Sequence, residues 1–203
     1  DAWQQGRKII GYQDVKVSSL MRKFANKPYV DVRASFNSLI PESIAKRLNH
    51  KLIKFYLQKL SETPHFHDKV EFEILFTCYD LTLETRLQEL IKYGFSKNEI
   101  TKIKDQLLNF TNKIIEDFPE ICLKCDDAIK KMEEINFGIK QKLNSTEKNH
   151  QNLLNSAEKL LLSCKNPGTV QFSTIARIAF IGTILMKSLQ KRGYVKSEII
   201  EGF

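Results

Sequence analysis

The sequence predicts a mainly α-helical protein of the α+β class: a helical domain with a small N-terminal antiparallel β element of about three strands. Three observations carry this. Apolar residues recur at helical spacing over long stretches, most plainly after Thr82. Period-two alternation is confined to two short stretches before residue 80. Only 8 glycines and 5 prolines punctuate 203 residues, so long uninterrupted elements are expected.

Taken in order, Asp1 to Gly11 reads as the tail of a helix, with Trp3, Ile9 and Ile10 beside a basic pair. Gly11 suits the C′ position, where positive φ is cheap. Ala25-Asn26-Lys27-Pro28 reads as a turn. Tyr29, Val30, Val32 and Phe36 are strand formers, among which Asp31, Arg33 and Ser35 alternate, so residues 17–36 predict a hairpin. Pro41 suits a first helical turn, and Ile44, Leu48, Leu52, Phe55 and Leu60 place a helix over Glu42 to Ser61. Thr63-Pro64 ends it. Val70, Phe72, Ile74 and Phe76 alternate with Glu71, Glu73, Leu75 and Thr77, predicting a third strand. Leu83, Leu87, Leu90 and Ile91 then form a helix broken at Gly94, and Ser96 with Glu99 is a capping box opening the next one. Pro119 is expected to separate that helix from another over Glu120 to about Leu143. Asn144 to Thr146 reads as a turn, with Ser145 or Thr146 capping a helix to Cys164. Lys165-Asn166-Pro167-Gly168 is a loop before the most apolar segment, Ile175 to Leu189, which is expected to be the central helix. Gly193 ends it, and Ser197 opens a short last helix. Residues 1–203 thus read as one domain, with a β-containing part over 1–80 and a helical part over 81–203.

Composition bounds the partners. Hydrophobic residues at 42%, charged residues at 28% and a mean hydropathy of -0.33 exclude a disordered chain. A net charge of +8 favours anionic partners. Cys78, Cys122, Cys125 and Cys164, without a secretory signal, read as reduced thiols of a cytoplasmic protein. Ile175 to Leu189 is interrupted by Arg177, Thr183, Lys187 and Ser188, so no membrane partner is expected. Lysines scattered without an aromatic-studded basic stripe argue against nucleic acid. The chain begins at Asp1 inside an apparent helix, so it reads as a piece of a longer polypeptide.

Four groups carry candidate chemistry. Cys122-Leu123-Lys124-Cys125 has metal or redox spacing, but no second pair accompanies it, and two thiols on one helix face also pack as small hydrophobes beside Ile121 and Ile129. His65, His67 and Asp68, with Glu71 and Glu73 following, offer imidazole and carboxylate for a cation or a proton relay, or form a solvated turn. Asp31, Arg33, Ser35 and Asn37 would share one strand face, where Arg33 can grip phosphate or carboxylate bidentately, or pair with a neighbouring strand. Arg177, alone in an apolar helix, either snorkels to the surface or meets a buried acid. No phosphate-binding glycine loop and no nucleophile elbow is present, so no catalytic residue and no metal ligand is assigned.

Three runs carry a family likeness: Lys27 to Pro41 (KPYVDVRASFNSLIP), His67 to Asp80 (HDKVEFEILFTCYD) and Ala176 to Gly193 (ARIAFIGTILMKSLQKRG), with Trp3 and Gly11-Tyr12 leading in. They resemble the region between the ATP-grasp and phosphohistidine domains of phosphoenolpyruvate-synthase-like phosphotransferases, relatives of pyruvate phosphate dikinase. Some members of that group sit among capsule-biosynthesis enzymes. The resemblance implies a parent enzyme using ATP and Mg, with the ATP-grasp and phosphohistidine domains of the same chain as partners and a small polar acceptor. It gives this segment a central, joining role. Asp31, Arg33, Asn37, His67, Asp68, Lys69 and Glu71 are then the candidate substrate contacts. The alternative is a non-catalytic helical scaffold for domain docking or homodimerisation, read from the amphipathic helices after Thr82.

Overall fold

The computed structural model describes residues 2–145 and 149–201. The protein is mostly helical, at 76%, with one two-stranded antiparallel sheet. Helix α1, Ala2–Ile10, stops at Gly11, whose φ is +97°. A single turn, α2 (Val17–Leu20), leads into strands β1 (Met21–Phe24) and β2 (Lys27–Val30), with Met21 opposite Val30 and Phe24 opposite Lys27. Ala25 and Asn26 both hold positive φ, the two-residue connection whose twist matches paired strands.

The hairpin ends earlier than the alternation predicts. Asp31 accepts a hydrogen bond from Ala34 N at 2.9 Å and caps α3, Val32–Asn37. The residues expected to share a strand face therefore lie on a cap and a helix. Local capping, together with burial of Phe36 against the α4 ring of Tyr56, outweighs the strand preference of Val32 and Phe36. Helix α4 spans Lys46–Glu62 and begins after Pro41, which bridges Tyr12 instead of opening a first turn.

The predicted third strand is also absent. Val70–Glu73 form the short helix α5, and Ile74, Leu75, Phe76, Thr77 and Cys78 follow as irregular backbone, all buried. Their apolar neighbours lie on both sides, so alternation was not the governing pattern. Side chains satisfy this backbone where a sheet would have done so. Phe76 N donates to Tyr56 Oη at 3.2 Å, Tyr79 N to Thr111 Oγ1 at 2.7 Å, and Tyr12 Oη donates to the Thr77 carbonyl at 3.0 Å.

Helix α6 (Leu83–Leu87) continues as a tight turn to Gly94 at φ +78°. The capping box forms as expected: Glu99 N donates to Ser96 Oγ at 3.2 Å, and Ser96 N donates to Glu99 Oε2 at 2.8 Å. It opens α7, Lys97–Ser145, 49 residues long. Pro119 does not end this helix. It lies on the exposed side, where the carbonyl freed by its missing N–H can meet water. Helix α8 (His150–Ser163) is capped by Asn149, which accepts from Asn152 N at 2.8 Å, rather than by Ser145; Thr146 lies outside the described residues. After a kink over Cys164–Gly168, α9 (Thr169–Lys191) completes the return along α7, and α10 (Ser197–Glu201) follows Gly193.

Two apolar clusters result. One joins α3, α4, Ile74 to Phe76, α6 and the start of α7. The other joins Ile10, Tyr12, Cys78, Phe110, Ile114 and Ile181. Helix α9 is not a central helix. It buries one stripe, Val170, Thr174, Arg177, Ile181 and Ser188, while Phe172 is 73% exposed. The helical run His150–Lys191 is long and apolar enough to cross a membrane, with an 18-residue window of mean hydropathy 1.4 that is 28% buried.

Candidate functional site

Helices α3 and α4 position an open groove of about 740 Å³. On α3, Arg33, Ala34 and Asn37 share one face at helical spacing, and His50, Ile53 and Lys54 do so on α4. Asn49 Nδ2 donates to Asn37 Oδ1 at 2.9 Å and ties the two helices together. Asn37 thereby keeps its own amide donor for the groove. Asp14, Val15 and Lys16 line a second wall, Arg22 comes from β1, and Asp31 sits at the α3 cap.

The electrostatics of this groove are one-sided. Lys16, Arg22, Arg33 and Lys54 face Asp14 and Asp31. Asp31 is engaged as a helix cap, and Asp14 accepts a hydrogen bond from Gln4 Nε2. Among the described residues, none of the four cations has an ion-pair partner, although six ion pairs form elsewhere. Four cations facing two carboxylates leave a positive excess around the concavity, which raises the local concentration of anions. They offer bidentate and point-charge donors but no general base and no nucleophile.

The structure separates the other predicted residues from this site. Glu71 turns inward and pairs with Arg177, which is 2% exposed and lies between the rings of Tyr12 and Phe180, at 5.7 and 5.6 Å. The lone arginine thus meets a half-buried acid. Arg177 Nε and Nη2 and Arg7 Nε are buried without acceptors. Burial, then the nearby Arg177 charge, pulls the Arg7 pKa from 12.5 down to about 10. Burial also pushes the Tyr12 hydroxyl up, against the pull of Arg177.

His65, His67, Asp68 and Lys69 stay exposed on the turn before α5. The His65 and Phe66 rings meet tilted with centroids 4.2 Å apart, and His67 Nδ1 lies 3.2 Å from the Pro64 carbonyl. Cys122 and Cys125 are half-buried on α7, and Cys125 Sγ sits 3.6 Å from Gln171 Oε1. Burial raises the Cys125 thiol pKa. Ile129, expected beside the thiols on a buried face, is exposed. No cluster of three or more potential metal ligands occurs among the described residues.

Asp31, Arg33 and Asn37, candidates from the sequence, line this groove beside Lys16, Arg22, His50 and Lys54, which no sequence pattern singled out. His50 and Lys54 are four apart on α4, but Lys16 and Arg22 come from two other segments, and no spacing links the three.

Fold and groove together define a helical module with a β-hairpin and an open basic concavity. Set against protein-family models, curated proteins and solved structures, the chain matches none of them.

Proposed function

We propose that the chain is the central, acceptor-side domain of an ATP-dependent phosphotransferase of the phosphoenolpyruvate-synthase type. The groove holds the anionic part of the acceptor or the phosphoryl group in transit. One observation carries this reading: the run that bears the family resemblance, Lys27 to Pro41, also supplies Asp31, Arg33, Ala34 and Asn37 to the groove. Arg33 and Arg22 orient the oxygens and offset charge that develops on them, with Asn37 donating from one side. ATP, Mg and the transferring histidine belong to other domains of the parent chain, in the cytoplasm.

The test uses the parent polypeptide with L-glutamine as the first acceptor, since a capsule-associated member of the resembled group phosphorylates that amide. Arg33→Ala should lower acceptor-dependent ATP turnover about tenfold, the size of one charge-assisted hydrogen bond, with the circular dichroism spectrum unchanged. Unchanged kinetics would remove the groove from the reaction, and an inert parent chain would remove the reaction class.

A scaffold role is the second reading, favoured by the exposed apolar side chains Leu123, Phe137, Leu154 and Leu161 on α7 and α8. A concentration-independent monomer in light scattering would eliminate self-association through these helices.

A further inference from the structure

The groove continues onto the hairpin. Register places Arg22 opposite Tyr29 and Phe24 opposite Lys27. Directly paired residues, and residues two apart on one strand, share a sheet face. One face therefore carries Arg22, Phe24, Lys27 and Tyr29, and the other carries Met21, Lys23, Pro28 and Val30. The Phe24 and Tyr29 rings meet edge to face at 5.6 Å and are 62% and 50% exposed. Arg22 belongs to this ring-bearing face and also lines the groove.

Two solvent-facing rings thus share a sheet face with Arg22, one of four groove cations that lack ion-pair partners among the described residues. An apolar peptide would cover the rings and leave the cations uncompensated. A phosphate ion would satisfy the cations and leave the rings wet. A flat π system joined to phosphates satisfies both. The sequence pattern hid this because Lys16, Arg33 and Lys54 are distant in the chain from Phe24 and Tyr29.

We infer that the ring-bearing hairpin face and the groove together bind a nucleobase linked to phosphates, supplied either by a single-stranded nucleic acid or by a free nucleoside polyphosphate. Bases stack on Phe24 and Tyr29, and phosphates meet Arg22, Arg33, Lys16 and Lys54. This rests on the groove being an anion site, as proposed above, and not on the phosphotransferase class.

The test is fluorescence anisotropy of the chain with a labelled oligothymidylate of about 12 nucleotides, within the site sizes that such surfaces cover. Unlabelled ATP, tripolyphosphate and a DNA duplex serve as competitors. Phe24→Leu and Tyr29→Leu keep apolar bulk but remove the flat ring, and each should weaken binding roughly tenfold without altering the salt slope. Arg22→Ala and Arg33→Ala should each reduce the slope of log K against log salt by about 0.7. Competition by ATP identifies the free nucleotide as the source, and displacement by the oligonucleotide alone identifies the single strand. The inference is overturned if tripolyphosphate competes as well as ATP and the leucine variants bind normally, a result that leaves the anion groove standing. It is also overturned, with the groove, if neither labelled strand nor nucleotide binds at low salt, or if the duplex binds as tightly as the single strand.

Discussion

Glu71→Gln tests the assignment of the Glu71–Arg177 pair as structural. The substitution preserves volume but removes the one carboxylate paired with a guanidinium that is 2% exposed. Two other Arg177 nitrogen atoms already lack acceptors, so the remaining charge would sit in the second apolar cluster with nothing to offset it. Breaking a buried pair by removing one partner costs about 3–5 kcal/mol. The Glu71 side chain is 25% exposed, so water screens part of the interaction and about 3 kcal/mol is expected. At about 2–4 °C per kcal/mol for a chain of this size, the melting temperature should fall by about 6–12 °C. Urea and thermal unfolding followed by far-ultraviolet circular dichroism measure it. The double variant Glu71→Gln with Arg177→Met, which removes both charges, should regain most of the loss. A Glu71→Gln protein within about 0.5 kcal/mol of the parent would refute the reasoning, because that is the range of an ordinary surface change.

Three further outcomes follow from buried or capped groups. Burial, then the Asp80 charge, pushes the Cys78 thiol from 9.0 up to about 12. The unfolded chain therefore releases this proton first, and the contribution is intact below pH 9 and lost as pH rises toward 12. Its slope is about 1.4 kcal/mol per pH unit. Buried Tyr12 and Tyr56, both raised by burial, act in the same direction above pH 10. Cys78→Ala should flatten the fall in urea midpoint between pH 9 and 10, and an unchanged slope would contradict the assignment. At the start of α7, Ser96→Ala should cost about 1 kcal/mol. The Lys51 hydrogen bond, then the Ser96 amide, holds the Glu99 carboxyl below its usual range. Its contribution is complete above pH 4.5 and lost as pH falls through the depressed value. Glu99→Gln should therefore matter at pH 7 and matter progressively less as the pH is lowered below 4.5 in the same unfolding assay.

The helices with a single buried stripe were legible because period alone specifies them. Leu48, Leu52 and Phe55 on α4, and Ile103 and Leu107 on α7, are buried where the spacing put them. The Ser96–Glu99 box and the stops at Gly11, Gly94 and Gly193 were legible because each is a local backbone requirement. The second hairpin strand ended early because Asp31 caps α3, whereas the third strand failed for another reason. Strand patterning describes a surface with one dry face, yet Ile74 to Cys78 is dry throughout, and Phe76 N, with Tyr79 N just beyond, donates to distant side chains on α4 and α7. Pro119 misled for a different reason: a helix tolerates the missing bond on its wet side, and sequence does not reveal which side faces water. Arg33 and Asn37 remained neighbours despite the wrong element, since residues four apart meet on a helix as surely as residues two apart do on a strand. That is why part of the groove survived a mistaken secondary structure.

The placement of charge separates what holds this protein together from what it offers to a partner. Lys51–Glu99, Lys59–Glu89, Arg86–Asp80 and Arg177–Glu71 each join segments far apart in the chain or brace the irregular stretch between the two clusters. Arg86 does both, binding Asp80 and also donating to the Leu75 carbonyl at 3.1 Å. Arg177 has its acid because burial makes an unpaired charge costly. Lys16, Arg22, Arg33 and Lys54 are exposed, so water tolerates them unpaired, but gathering them in one concavity adds mutual repulsion that no fold requirement explains. A cluster that mildly opposes stability and is only partly offset by Asp14 and Asp31 is the pattern expected where an anion supplies the remaining charge.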